Sequence, residues 1–265
     1  MTFQTRADWK AFSVPKLGNT VSENEDAFHQ APPTPSAPGV WALSDGATTT
    51  SFARLWAQTL VQRAARAQPA AAGLADLLLQ AQAAWRQDVN SRPLPWHAAE
   101  KVQQGAFATL LWFSFSRPSP FRHGEWRVLS VGDSCLFHVR RQQLQSAVPL
   151  SSAAAFDNHP ELLSSTPARN AFLWPRLDQH FTVGTWQAGD EFYLMTDALS
   201  AWCLAAHEKG ANPFQIIHEE VLRSPQAEVV FQEWVAGLRR LKALKNDDTT
   251  LIWIRPSVIH VGGSR

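Results

Sequence analysis

The sequence predicts an α+β protein in which antiparallel sheets pack together with helices outside. Three observations lead there. Short apolar runs of strand length recur, each beside an acid: VWALS before Asp45, WRVLSVG before Asp133, EFYLMT before Asp197, and TTLIWI after Asp247 and Asp248. Strand patterns give way to helical ones twice along the chain. With 265 residues, 45% hydrophobic and 18% charged, the chain can bury one large core, so one domain over residues 1–265 is expected.

Each element follows from local pattern. Ala31 to Gly39 holds four prolines and reads as a loop between a strand ending near His29 and one starting at Val40. After Asp45 and Gly46 a helix is expected, with Phe52, Leu55, Trp56, Thr59 and Leu60 on one face and hydroxyls from Thr48 to Ser51 as caps. A second helix carries Leu74, Leu77, Leu78, Ala81 and Trp85, and Pro93 and Pro95 close the pair. From Gly105 the chain turns to strands, AFATLLWFSF, WRVLSVG and SCLFHVR, and the spacing of the last two suits a hairpin. Gln142 to Arg176 mixes small polar residues, prolines and isolated aromatics without periodicity, and reads as a partly irregular, flap-like insertion. HFTVGTW and EFYLMT flank a turn from Gln187 to Asp190. Helices return over Leu199 to Ala206, from Asn212 and Pro213, and along Val230, Trp234, Leu238 and Leu241, before a final strand TTLIWI.

Composition excludes several function classes. Net charge is +1, and the short basic stretch Arg239, Arg240, Lys242 and Lys245 falls on a helical pattern, read as a solvated face, so no nucleic-acid partner is expected. Cys135 and Cys203 sit in apolar segments, which points to a reducing compartment and not to a disulfide framework or a thiol nucleophile. MTFQTRADWK lacks the apolar core of a signal peptide, and no apolar run approaches the roughly 18 residues of a membrane span, so a cytoplasmic protein without a membrane partner is expected. His97, His123, His138, His159, His180 and His207 show no HxxxH or HxH spacing, against a His-based zinc site. His29, close to acidic residues, is a candidate acid. Trp56, Trp85 and Trp234 at helical spacing read as core.

The acids carry the chemistry. Asp45, Asp133 and Asp197 each follow a strand and Asp247 precedes one, so an antiparallel arrangement can bring all four to a common edge. Carboxylates that close repel and raise one another's pKa, a conflict that divalent cations relieve. Oxygen-only ligands favour Mg²⁺ or Mn²⁺ over zinc.

SENEDAF, ALSDGATTT, GAFATLL, VGDSCLF, LMTDALSAW and NDDTTLIWI follow one another along the chain, and in this order the six motifs resemble those of the PPM, or PP2C-type, metal-dependent Ser/Thr protein phosphatases. The resemblance spans nearly the whole chain. It implies a four-layer αββα sandwich with two Mn²⁺ or Mg²⁺ ions at one end. Position by position, it implies that Asp45 bridges both ions and the Gly46 carbonyl holds the second. Asp197 and Asp247 would complete the first ion's shell, and Glu25 and Asp26 would act through water. Asp26 would also orient the nucleophile. The catalytic set is then Asp26, Asp45, Asp197 and Asp247, hydrolysing phosphoserine or phosphothreonine by in-line attack of a metal-bridging water. The implied partner is a phosphoprotein, a Ser/Thr kinase or its target in a signalling role, with the insertion selecting it.

The chain departs from the family pattern at several positions. The phosphate-clamping arginine is Val21, the two glycines closing DGxGG are Thr48 and Thr49, and a histidine found after DG in some relatives is Ala47. Within TDG the glycine is Ala198, and the acid four residues after Asp197 is Ala201, which leaves Asp133 as a doubtful holder of a third metal. Two alternatives stand beside the phosphatase reading: a pseudophosphatase that binds phosphoprotein or a regulator without turnover, and a two-metal hydrolase of small phosphoesters.

Overall fold

Period-2 alternation along the apolar runs decides which layer each side chain enters. In the computed structural model of the chain, residues 2–34, 37–48, 50, 52–93, 102–116, 124–157 and 159–261 are described. One sheet runs in the order β1 (Thr2–Val14), β12 (Thr249–Val261), β11 (Asp190–Met195), β7 (Cys135–Arg140), β8 (Gln143–Val148). The other runs β10 (Phe181–Trp186), β6 (Gly124–Val131), β5 (Leu110–Phe115), β3 (Gly39–Ser44), β2 (Ala27–Ala31). A short pair, β4 (Phe107–Ala108) with β9 (Leu163–Ser164), lies apart.

Trp41, Leu43, Phe113, Phe192, Leu194, Ile252 and Ile254 point between the two large sheets and form the inner core. The alternate residues point outward. Val40 and Ala42 meet α1 (Ala53–Ala64) and α2 (Ala71–Asn90), whose Trp56, Leu60, Leu74, Leu78 and Trp85 are buried. On the opposite face Cys135, Phe137, Tyr193, Met195, Leu251 and Trp253 meet α3 (Asp197–Glu208), α4 (Pro213–Ile217) and α5 (Ala227–Arg240). The layers are therefore helix, sheet, sheet, helix, as the sequence predicts. No described helix is long and apolar enough to cross a membrane.

The structure differs from the local reading, or goes beyond it, at four places. WRVLSVG and SCLFHVR do not form a hairpin: β6 pairs with β5 and β10, while β7 pairs with β11 and β8 in the other sheet. The three-residue link Gly132 to Ser134 crosses between sheets instead, and Gly132 adopts φ +107° to do so. A Cβ there would lie 2.5 Å from Thr109 Cγ2, so Gly132→Ala is expected to cost about 2 kcal/mol, read as a lower denaturation midpoint at unchanged m-value. Among the described residues no hydroxyl caps α1: Phe52 occupies the cap with φ 62°, and Thr50 Oγ1 donates to the Ala47 carbonyl at 2.9 Å. Thr49 and Ser51 lie outside the described residues, as do Pro95, His97 and His123. The stretch from Gln142 opens with a regular edge strand, β8, whose sequence QLQSAV carries no apolar alternation to read, although Leu144, Ala147 and Val148 pack partly against the cores.

The fourth difference is β1. Charged Arg6, Asp8 and Lys10 interrupt its apolar pattern, yet it pairs along its whole length with β12 in antiparallel register. Asp8 lies opposite Arg255 and meets it at 3.0 Å, while Lys10 Nζ donates to the Leu222 carbonyl at 2.6 Å. Trp9 and Ala11 still pack on the inner core.

Candidate active site

Strand direction brings the acids together. Both β3 and β6 pair antiparallel with β5, so they run parallel to each other and end at the same edge, which delivers Asp45 and Asp133. In the facing sheet β11 ends where β12 begins, Met195 opposite Leu251, which places Asp197 beside Asp247. Asp45, Asp133, Asp197 and Asp247 line one cleft of about 290 Å³ together with Gly46, Ala47, Thr48, Thr109, Asp157 and Lys245.

The backbone around Asp45 is fixed by Thr109. The Asp45 N–H donates to Thr109 Oγ1 at 2.9 Å, the Thr109 N–H donates to the Asp45 carbonyl at 2.8 Å, and Thr109 Oγ1 is 3.0 Å from Ser134 Oγ. Gly46 is packed so closely that a Cβ would meet the Ala53 backbone and the Glu25 carbonyl at about 3 Å. Desolvation, and then the charges of Asp26, Asp197, Asp133 and Asp247, push the Asp45 carboxyl well above the usual carboxylate range. Part of Asp45 still faces the open cleft, so charge crowding is the sturdier of the two causes. Burial and the nearby Asp197 push Asp133 up to about 6.

Asp26 is held from behind. Its Oδ2 accepts from Thr250 Oγ1 at 2.7 Å and Thr196 Oγ1 at 3.1 Å, and its N–H donates to Asn24 Oδ1 at 2.9 Å. Burial, and to a lesser degree the charges of Asp248 and Asp197, raise its pKa well above normal against the Thr250 hydrogen bond. Asp26 lines a second hollow shared with Ser13, Val21, His29 and Arg54. Asp248 ties the wall together: its two oxygens accept from the backbone N–H groups of Lys16 and Glu25, each at 2.7 Å. Glu25 itself turns toward Lys16 Nζ at 3.5 Å, and Lys16 also donates to Thr48 Oγ1 at 3.2 Å.

Only part of the basic stretch is a solvated helix face: Arg239 and Arg240 end α5, Arg240 and Lys242 are exposed, and Lys245 lies beyond the helix. α5 stops at Arg240, where Lys242 adopts φ 56° and the N–H groups of Lys242 and Ala243 return to the Arg239 and Leu238 carbonyls, a Schellman ending. Leu241 is 78% exposed rather than part of the apolar stripe, Leu244 is buried, and Lys245 is carried into the cleft. There Lys245 Nζ sits 3.1 Å from Asp197 Oδ2 and 2.8 Å from Asp247 Oδ2. Burial works to lower its pKa, but the hydrogen bonds and charges of the two aspartates outweigh that and raise it. Arg239 is also engaged, donating to the Pro15 carbonyl at 2.8 Å and to Thr249 Oγ1 at 3.0 Å.

Sequence reasoning missed Lys245, Thr109 and Asp157. The only local signal for Lys245 is its place two residues before Asp247, and Asp157 has none, since it reaches the cleft from the irregular segment. Val21 is 74% exposed, and Arg54 in the adjoining hollow is turned onto the Val21 and Ser22 carbonyls. His29 is exposed on the edge strand and lines that hollow, not the carboxylate cleft. Both cysteines are buried and free, and burial pushes the Cys135 thiol up to about 12, which suits packing and not nucleophilic attack.

Oxygen donors and crowded negative charge suit hard divalent cations, and two buried carboxylate oxygens, Asp26 Oδ1 and Asp197 Oδ1, have no hydrogen-bond partner. Among the described residues no three acidic, histidine or cysteine side chains are drawn in tightly enough to form a ready-made metal cage. Two of the carboxylates are occupied by the Lys245 ammonium, a cation in its own right. The residues present therefore fit a cation site whose ligands are partly paired within the chain.

A family model described as protein phosphatase 2C matches residues 20–239. No curated protein matches the chain. Among solved structures, the catalytic domain of the serine/threonine protein phosphatase PstP in complex with two manganese ions is similar at 17% identity, covering 95% of this chain and 99% of that one, with TM-score 0.56. A structure of PstP/Ppp from Mycobacterium tuberculosis gives 15% identity, 94% and 98% coverage and TM-score 0.57. PppA from Pseudomonas aeruginosa gives 21%, 97% and 100%, and 0.53. At these identities the likeness speaks for the fold.

Proposed function

The chain belongs to the protein phosphatase 2C family, metal-dependent serine/threonine protein phosphatases, and from that premise we propose which of its residues carry the reaction. Asp45, Asp197 and Asp247, with the Gly46 carbonyl, would hold two divalent cations, Mn²⁺ or Mg²⁺, and Glu25 and Asp26 would act on them through water. Asp133 is the weaker candidate for a third, because position 201 is alanine. Bound cations supply Lewis-acid polarisation of a phosphoryl group and acidify water near neutral pH.

The chain's own groups do the rest. Asp26, locked by Thr196 and Thr250 through Oδ2, lines the adjoining hollow and not the cleft, and its charge acts on Asp45; its buried, unpartnered Oδ1 would orient the nucleophile through intervening water. Thr109 fixes the Asp45 backbone, and Asp248 fixes the Glu25 backbone, so the acids need not reorganise when substrate arrives. No thiol or hydroxyl nucleophile is required, in keeping with buried Cys135 and Cys203.

The observation that carries this assignment is the convergence of four aspartates from both sheets on one cleft. The substrate is a phosphoprotein, a Ser/Thr kinase or a kinase's target, in the cytoplasm, with the segment 142–176 of this single domain contributing Asp157, Pro160 and Leu162 to the cleft wall. Phosphate release from a phosphoserine or phosphothreonine peptide tests it. The expected result is turnover with Mn²⁺ that EDTA abolishes and fresh Mn²⁺ restores; absence of both turnover and Mn²⁺ binding would sink the assignment.

A further inference from the structure

Lys245 is the only lysine or arginine lining the carboxylate cleft among the described residues. Its neighbours in charge are spent elsewhere: Lys16 on Glu25 and Thr48, Arg54 on the Val21 and Ser22 carbonyls, and Arg239 on Pro15, Asp247 and Thr249 backbone and side-chain oxygens. Lys245 is held by Asp197 and Asp247 alone, with 60% of its side chain exposed, on a turn that follows buried Leu244. Its ammonium contacts Oδ2 of both Asp197 and Asp247, the two carboxylates assigned above to one cation. A divalent cation drawn to those carboxylates would compete with the ammonium for Oδ2 and repel it as a like charge.

Resting on that metal assignment, we propose that Lys245 is the substrate-phosphate ligand of this chain, held in reserve between Asp197 and Asp247 until cation binding releases it to the cleft mouth. The ammonium is a tethered cation that screens the two carboxylates from one another's charge. Once displaced, a flexible four-carbon stem lets it reach a phosphoryl oxygen of a substrate seated over the same cleft, as a point charge rather than a bidentate fork. This supplies positive charge within the cleft itself, whereas Val21 lines the adjoining hollow and brings none.

Lys245→Gln tests both halves, using EDTA-stripped protein. Manganese affinity, measured by calorimetric titration without substrate, should rise about tenfold, because the competing ammonium is gone. In the manganese-loaded enzyme the inhibition constant of inorganic phosphate and the KM for phosphopeptide should each rise about tenfold with a smaller change in kcat. Lys245→Arg should restore phosphate affinity in part. Unchanged phosphate inhibition overturns the phosphate role, and unchanged manganese affinity overturns the exchange. A wild-type protein that binds no manganese would overturn the metal assignment itself and the inference with it, an outcome visible before any variant is made.

Discussion

Asp45→Asn should reduce manganese-dependent phosphate release at least about 10³-fold while the folded protein survives intact, because the amide keeps the shape but not the charge at the centre of the cleft. The backbone contacts with Thr109 do not involve the side chain and remain available. In EDTA the variant should melt no lower than wild type, since removing one of the crowded carboxylates relieves the repulsion that pushes Asp45's pKa upward. Loss of activity with retained or raised melting temperature identifies a functional role. A fall in both would mark Asp45 as structural, and full activity would move the chemistry elsewhere.

Asp190→Ala should have the largest effect on stability. Asp190 is fully buried at the start of β11, opposite the end that carries the cleft, and accepts from His138 Nε2 at 2.8 Å, Arg140 Nε at 2.7 Å, Arg140 Nη2 at 2.9 Å and the Gln187 N–H at 3.0 Å. His138 stacks on Phe192 with ring centroids 4.9 Å apart, so the pair is built into the inner core. Removing the carboxylate leaves the buried His138 ring without its acceptor and frees an Arg140 side chain that is 32% exposed, at a cost of about 3 kcal/mol, or a melting temperature lower by about 6 to 12 °C. Burial alone would raise the Asp190 pKa, but the Arg140 and His138 hydrogen bonds outweigh it and hold it well below the usual carboxylate range. A depressed folded-state pKa means that the stabilisation is fully present above the unfolded value of about 4 and is lost as pH falls through the folded value. The gap between wild type and variant should therefore be constant at neutral pH and close progressively below about pH 4. A gap that persists unchanged in acid would show that packing, not the ion pair, supplies it.

The layers of the fold and the set of acids were both legible in the chain, since both are local. A run such as EFYLMT alternates Phe192 and Leu194 against Tyr193 and Met195, and that alternation alone assigns two faces to two cores. Motif order likewise marks Asp45, Asp197 and Asp247 without any knowledge of pairing. The hairpin expected between β6 and β7 failed because loop length is the only local evidence for pairing, and a three-residue link can cross between sheets when Gly132 takes positive φ. β1 was illegible because its partner, β12, lies at the far end of the chain and supplies the cross-strand contacts that its charged residues need.

Residue identity and sequence order thus determined the strand ends, the acids on them and the missing arginine at Val21. Only the tertiary structure decided which groups share the cleft: strands parallel across β5 and antiparallel between β11 and β12 gather the aspartates, and the Schellman ending of α5 turns Lys245 among them. The reason is physical. Periodicity is a property of neighbours along the chain, whereas charge acts through space, so a lysine that reads as solvent-facing on a helix becomes a cation between two carboxylates once the helix stops four residues earlier than Leu244.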